Sequence, residues 1–135
     1  MTSETGVSDL KLAYTAGPYR AKTLHGVMEN IRAAELTAID LWRLGFAVIC
    51  PHKNTALLDG TLGDDDSHIW IEGDLVMLER CDCIVMIPGW ERSEGARAEK
   101  EFAEDAKIPV FHWPMDKDEL CMFRDEVYLD FDGCK

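Results

Sequence analysis

Four short apolar runs, separated by stretches of helical periodicity, set the strongest limit on how this 135-residue chain can fold. The first three stop abruptly. Leu10–Ala16 ends at Gly17-Pro18, Phe46–Cys50 at Pro51 and Cys83–Ile87 at Pro88-Gly89, and Ile108–Phe111 is the fourth. Runs of this length bounded by turn residues read as strands, and a continuously apolar one such as CIVMI suits a strand covered on both faces. Between the first two, Val27, Ile31, Ala34, Ala38 and Leu41 draw a single stripe along a helix that stops near Leu44, with Gly45 as its C-terminal cap. A second helix is expected over His68–Arg80, capped by Ser67, with Ile71, Leu75 and Leu78 inward. A third is expected over Ala96–Lys107, with Phe102, Ala103 and Ala106 inward. The order β-α-β-α-β-α-β predicts an α/β fold: a doubly wound, mostly parallel sheet of four to five strands with helices on both faces.

One domain accounts for the whole length, since a chain of this size buries roughly two-thirds of its unfolded surface. Residues 1–9 read as a flexible, acidic N-terminus without the pattern of a secretory signal. Residues 114–135 read as a C-terminal extension, in which Val127–Phe131 either adds an edge strand or packs on a neighbouring subunit. Apolar runs all fall short of the roughly 18 residues of a membrane span, so no membrane association and a cytoplasmic location are expected. A net charge of −12 argues against nucleic acid polymers, whose phosphates the protein's field repels, yet a few local cations can still hold a small phosphorylated ligand. Cys50, Cys81, Cys83, Cys121 and Cys134 lack zinc-site spacing and read as free thiols, Cys81 and Cys83 pointing the same way. Asp64-Asp65-Asp66 lacks calcium-loop spacing. No metal or organic cofactor is implied.

In an open parallel sheet, ligands bind beyond the carboxyl ends of the strands, so the turns after them are where chemistry is sought. The first reads Ala16-Gly17-Pro18-Tyr19-Arg20. The second opens a polar loop, His52–Asp66, in which His52 and Asn54 could read the edges of a base or be simply solvated. The third, Pro88–Ala96, contains Trp90, which could stack on a base or be packed, and Ser93 with Gly95, which offer a hydroxyl and exposed N–H groups to a phosphate or merely cap and turn. Arg20 could supply the cation that such a phosphate needs or be simply solvated.

Stepping back along the apolar stripe of the third helix lands on Glu99, a carboxylate on a face that should be buried. Either it sits in the first helical turn as a capping acid, ionised with help from the dipole, or it is placed for chemistry. Asp74 lies on or beside the buried stripe of the second helix, between Ile71 and Leu78, either as a surface-edge residue paired with Lys or Arg or as a second inward acid, and Gly73 beside it suggests that something approaches closely there. Two carboxylates flanking one crevice suit glycosyl transfer, where an anion stabilises or captures an oxocarbenium-like centre. Glu99 is the better nucleophile, and Asp74 then orients the sugar or passes a proton to the departing base.

Tyr14-Thr15-Ala16-Gly17-Pro18-Tyr19-Arg20, Gly73-Asp74-Leu75 through Cys81-Asp82, and Ser93-x-Gly95-x-x-x-Glu99 together resemble the nucleoside 2-deoxyribosyltransferase superfamily, including its nucleotide N-hydrolase branch and its uncharacterised bacterial and phage branch. The likeness runs from about Leu12 to Phe111 and implies a Rossmann- or flavodoxin-like domain. It also implies that Glu99 forms a glycosyl-enzyme intermediate, that Asp74 is an active-site acid, that Tyr14 lies near the sugar and Glu99, and that Asp82 is the acid before the third strand, of varying role. Arg20 and Ser93 match the positions that hold a 5′-phosphate in the N-hydrolase branch. Expected from this is hydrolysis of a (deoxy)nucleoside 5′-monophosphate to base and sugar phosphate, by a homodimer or larger assembly. The alternatives are exchange of bases by a deoxyribosyltransferase, acting on a nucleoside, and a non-catalytic nucleotide-binding module.

Overall fold

In the computed structural model, which describes residues 9–126, the apolar runs form β1 (Leu12–Ala16), β2 (Ala47–Ile49), β3 (Cys83–Met86) and β4 (Val110–His112). They alternate with α1 (Leu24–Leu44), α2 (Pro51–Asn54), α3 (Ser67–Glu79), α4 (Glu94–Asp105) and α5 (Lys117–Asp125). The strands line up as β2-β1-β3-β4, all parallel. This is the expected doubly wound α/β fold, with four strands among the described residues.

Strand pleating divides the interior into two cores, because successive side chains point to opposite faces. Tyr14, Ala16, Ile84 and Met86 pack with Leu78, Ala96 and Ala103 of α3 and α4. Ala13, Cys83 and Val85 pack on the other face with Leu41, Phe46 and Leu120. Cys81 belongs to the first core and Cys83 to the second, so the expectation that they point the same way fails: Cys81 precedes the strand, where the alternation does not hold. The order of strands reverses at β1. In such sheets the crevice opens at that switch point, between the carboxyl ends of β1 and β3.

Local signals explain most boundaries. Thr23 caps α1 by accepting from the Gly26 N–H, and Gly45 ends it at φ 101°, where its N–H reaches the Leu41 and Trp42 carbonyls. Only a residue without Cβ takes that left-handed conformation cheaply. Ser93 caps α4.

Other expectations need correction. The Pro51–Asn54 segment is a short helix with proline at its first position, so the loop begins after Asn54. Ser67 is the first residue of α3 rather than its cap; Asp66 precedes it and turns its carboxylate back to the N–H groups of Gly60 and Leu62, which ties the loop into turns. Ile71 is 56% exposed and does not join Leu75 and Leu78 on the core face. Helix α4 starts two residues early and ends before Ala106, which is exposed.

The C-terminal extension folds onto its own chain as far as residue 126. Leu120 of α5 is fully buried, Arg124 donates to the Leu44 carbonyl, and Lys11 donates to the Glu126 carbonyl. The expected edge strand at 127–131, the thiol at position 134 and the N-terminal segment before residue 9 lie outside the described residues. Among the described residues no helix is long and apolar enough to cross a membrane.

Candidate active site

β1 carries Tyr14 with its side chain on the α3/α4 face, fully buried, and α4 brings Glu99 over the same face. The Tyr14 hydroxyl donates to Glu99 Oε2 at 2.5 Å. Because Ser93 caps α4, Glu99 stands in the second turn, too far inside to satisfy the free N–H groups of the first. Its capping role is thereby overturned, along with the expectation that the helix start keeps it ionised. Burial instead pushes the Glu99 carboxyl up to about 7; the hydrogen bond from Tyr14 opposes this and the charge of Asp74 adds to it. Asp74 on α3 is also raised, to about 6, by burial. Tyr14 is driven far above the ordinary phenol range by burial and by the charges of Glu99 and Asp74, so it remains a donor. The three groups form one electrostatically coupled cluster that binds a proton near neutrality.

This cluster meets a cavity of about 440 Å³ at the carboxyl rim. Gly17, Tyr19, Arg20, His52, Asp74, Ser93, Gly95 and Glu99 all line it, as sought from the sequence. A Cβ on Gly17 would stand 2.8 Å from Cβ of Ile87, so β1 can turn here against β3 only with glycine. Asn30 of α1 pins the turn, donating to the carbonyls of Tyr19 and Arg20. His52 is buried and its Nε2–H donates to the Pro18 carbonyl at 2.8 Å; burial lowers its pKa and keeps the ring neutral. Tyr19 packs edge-on against it at 5.8 Å, accepts from the Leu57 N–H and lies 3.4 Å from Asp59.

Three expected ligand-binding residues fall elsewhere. Asp82 precedes β3 and accepts from the Leu12 N–H at 2.7 Å; both strands begin there, so it joins the opposite, amino edge of the sheet. Asn54 lines a second cavity, of about 470 Å³, between α1 and the edge strand β2, because α2 turns it away from the rim. Trp90 packs on His112 at 5.4 Å and under Lys100, on the periphery of a core. The close approach expected at Gly73 is absent, as nothing lies within 4 Å of a Cβ there.

The cavity also holds residues that the sequence did not single out. Arg92 lines it, adjacent to the helix start at Ser93, a position that could have marked it. Trp70 lines it four residues before Asp74, a spacing that places both on one helix face. Asp59 lies 3.7 Å from Arg20, a pair 46% and 72% exposed, and no pattern pointed to it. Thr15, named only within the first-strand motif, lines the cavity with a buried hydroxyl that has no hydrogen-bond partner among the described residues.

Chemically, the rim offers a hydrogen-bonded carboxyl, a second acid of similar proton affinity, two guanidinium groups and the first-turn N–H groups of α4. The family model described as "Domain of unknown function (DUF4406)" matches residues 13–112, from β1 through β4. No curated protein matches the chain.

Proposed function

From a chain that belongs to the DUF4406 domain family, whose function is unknown, we propose an N-glycosidase that cleaves the bond between base and sugar in a (deoxy)nucleoside 5′-monophosphate. The observation that carries this reading is the Tyr14–Glu99–Asp74 cluster opening into a cavity that also holds Arg20 and Arg92. With Tyr14 holding Oε2, Glu99 has its other oxygen free to attack the anomeric carbon as the C–N bond breaks. Protonated Asp74 supplies the proton that the departing base takes. Water then attacks the glycosyl ester at the same carbon, Asp74 accepts its proton, and Glu99 leaves as the carboxylate, giving sugar 5-phosphate. Arg20, Arg92, the Ser93 hydroxyl and the N–H groups of Glu94 and Gly95 suit the phosphate.

The likeness to nucleoside 2-deoxyribosyltransferases and nucleotide N-hydrolases supports the same assignment. Incubation with a panel of ribo- and deoxyribonucleoside 5′-monophosphates, with released base followed by chromatography, tests it. Release by wild type and none by Glu99→Ala is expected; equal release, or none from any substrate, would refute it. An added acceptor base distinguishes hydrolysis from transfer, since transfer yields a new nucleotide.

A further inference from the structure

Resting on the N-glycosidase reading, we infer that Trp70 is the platform on which the substrate's base stacks. The chain has four tryptophans, at 42, 70, 90 and 113, all among the described residues. Trp90 is held against His112 and Lys100, Trp113 packs on the α1/α5 core, and Trp42 lines the second cavity. Trp70 alone lines the cavity at the carboxyl rim.

Its position follows from α3. Residues 67, 70, 71, 74 and 75 share one face of the helix, and all five line the cavity. Trp70 lies about one turn before Asp74, four residues and a displacement of about 6 Å along the axis. With the anomeric carbon at the acids, a planar base attached to it extends over roughly that distance. Ile71, 56% exposed and beside Trp70, extends the apolar wall and accounts for a large aliphatic side chain left out of the core. Tyr19, braced edge-on by His52, lines the same cavity from the β1 turn, so aromatic surface comes from two separate elements.

Stacking on an indole is tolerant of base identity, because every base has a π-face. The substrate class inferred is therefore a nucleotide bearing a planar heteroaromatic base, purine or pyrimidine.

The test uses Glu99→Gln protein, which prevents turnover, titrated calorimetrically with 2′-deoxyadenosine 5′-monophosphate, thymidine 5′-monophosphate and 2-deoxyribose 5-phosphate. Adding Trp70→Ala is expected to weaken both nucleotides about tenfold, in line with losses from other base–aromatic stacks, while leaving the sugar phosphate unchanged. Trp70→Phe should restore most of the affinity. Equal weakening of sugar phosphate and nucleotides, or unchanged nucleotide affinity in Trp70→Ala, would overturn the platform alone. Failure of the Glu99→Gln parent to bind either nucleotide would overturn the N-glycosidase reading and the platform with it.

Discussion

The Tyr14 hydroxyl donates to Glu99 Oε2 at 2.5 Å, joining β1 to α4 across 85 positions of sequence. A neutral donor here favours the ionised carboxylate, against a site whose burial favours the acid.

Removing that donor in Tyr14→Phe should therefore raise the Glu99 pKa above about 7. At pH 7 fewer molecules carry the carboxylate, and a rise of about one unit in the Glu99 pKa should lower kcat/KM by up to roughly tenfold. Part of the loss should return at higher pH, which a pH–rate profile would reveal. A uniform loss with an unmoved profile would mean that Tyr14 acts only by packing.

The coupled acids predict a bell-shaped profile. Activity needs Glu99 ionised and Asp74 protonated, so it should peak between about 6 and about 7, with limbs that belong to the pair. Asp74→Asn removes the proton donor and a charge that raises Glu99. Its weaker activity should rise to a plateau with pH, without an alkaline fall, and the midpoint of the rise should be lower than about 7.

Stability should respond to the same burial. Glu99 has a folded pKa raised from 4.5 to about 7, so its contribution is fully present below the unfolded value and is lost as pH climbs through the folded one. Glu99→Gln cannot ionise and escapes the loss. Its unfolding free energy, relative to wild type, should therefore increase between pH 4.5 and 8, by up to about 3 kcal/mol. Denaturant melts across that range provide the check, and a pH-independent difference would deny that the folded protein shifts this group.

Arg20 and Arg92, proposed to hold the phosphate, both line the cavity, and Arg20 is paired with Asp59. Arg92→Ala should raise KM for a nucleoside monophosphate roughly tenfold with little change for the free nucleoside, as loss of a charge-assisted hydrogen bond implies. Asp59→Asn should lower KM for the monophosphate alone, by releasing Arg20. Steady-state kinetics on both substrate forms separates these outcomes.

The fold was readable because its signals are local. Short apolar runs closed by Gly17-Pro18, Pro51 and Pro88-Gly89 marked three strand ends, and the stripe before Gly45 marked the longest helix. The inward faces of α3 and α4 revealed Asp74 and Glu99 as acids where apolar residues were due. Less local facts escaped. That Asp82 lies at the amino edge depends on the direction of β3 relative to β1, and that Trp90 packs on His112 depends on the placement of β4. Ile71 satisfied the helical period yet faces the cavity, because periodicity names a face without saying whether core or ligand covers it. Asp59 met Arg20 only once the loop had folded.

A covalent bond between the Glu99 carboxylate and the sugar can be read directly by mass spectrometry of enzyme quenched with acid. The substrate should be a 2′-fluorinated arabinonucleoside 5′-monophosphate, whose electron-withdrawing substituent disfavours the oxocarbenium-like transition state and slows turnover of the ester. The protein should gain one fluorinated sugar phosphate, located by peptide mapping at Glu99 and missing from Glu99→Gln. Base release without any adduct, or an adduct on another residue, would contradict it.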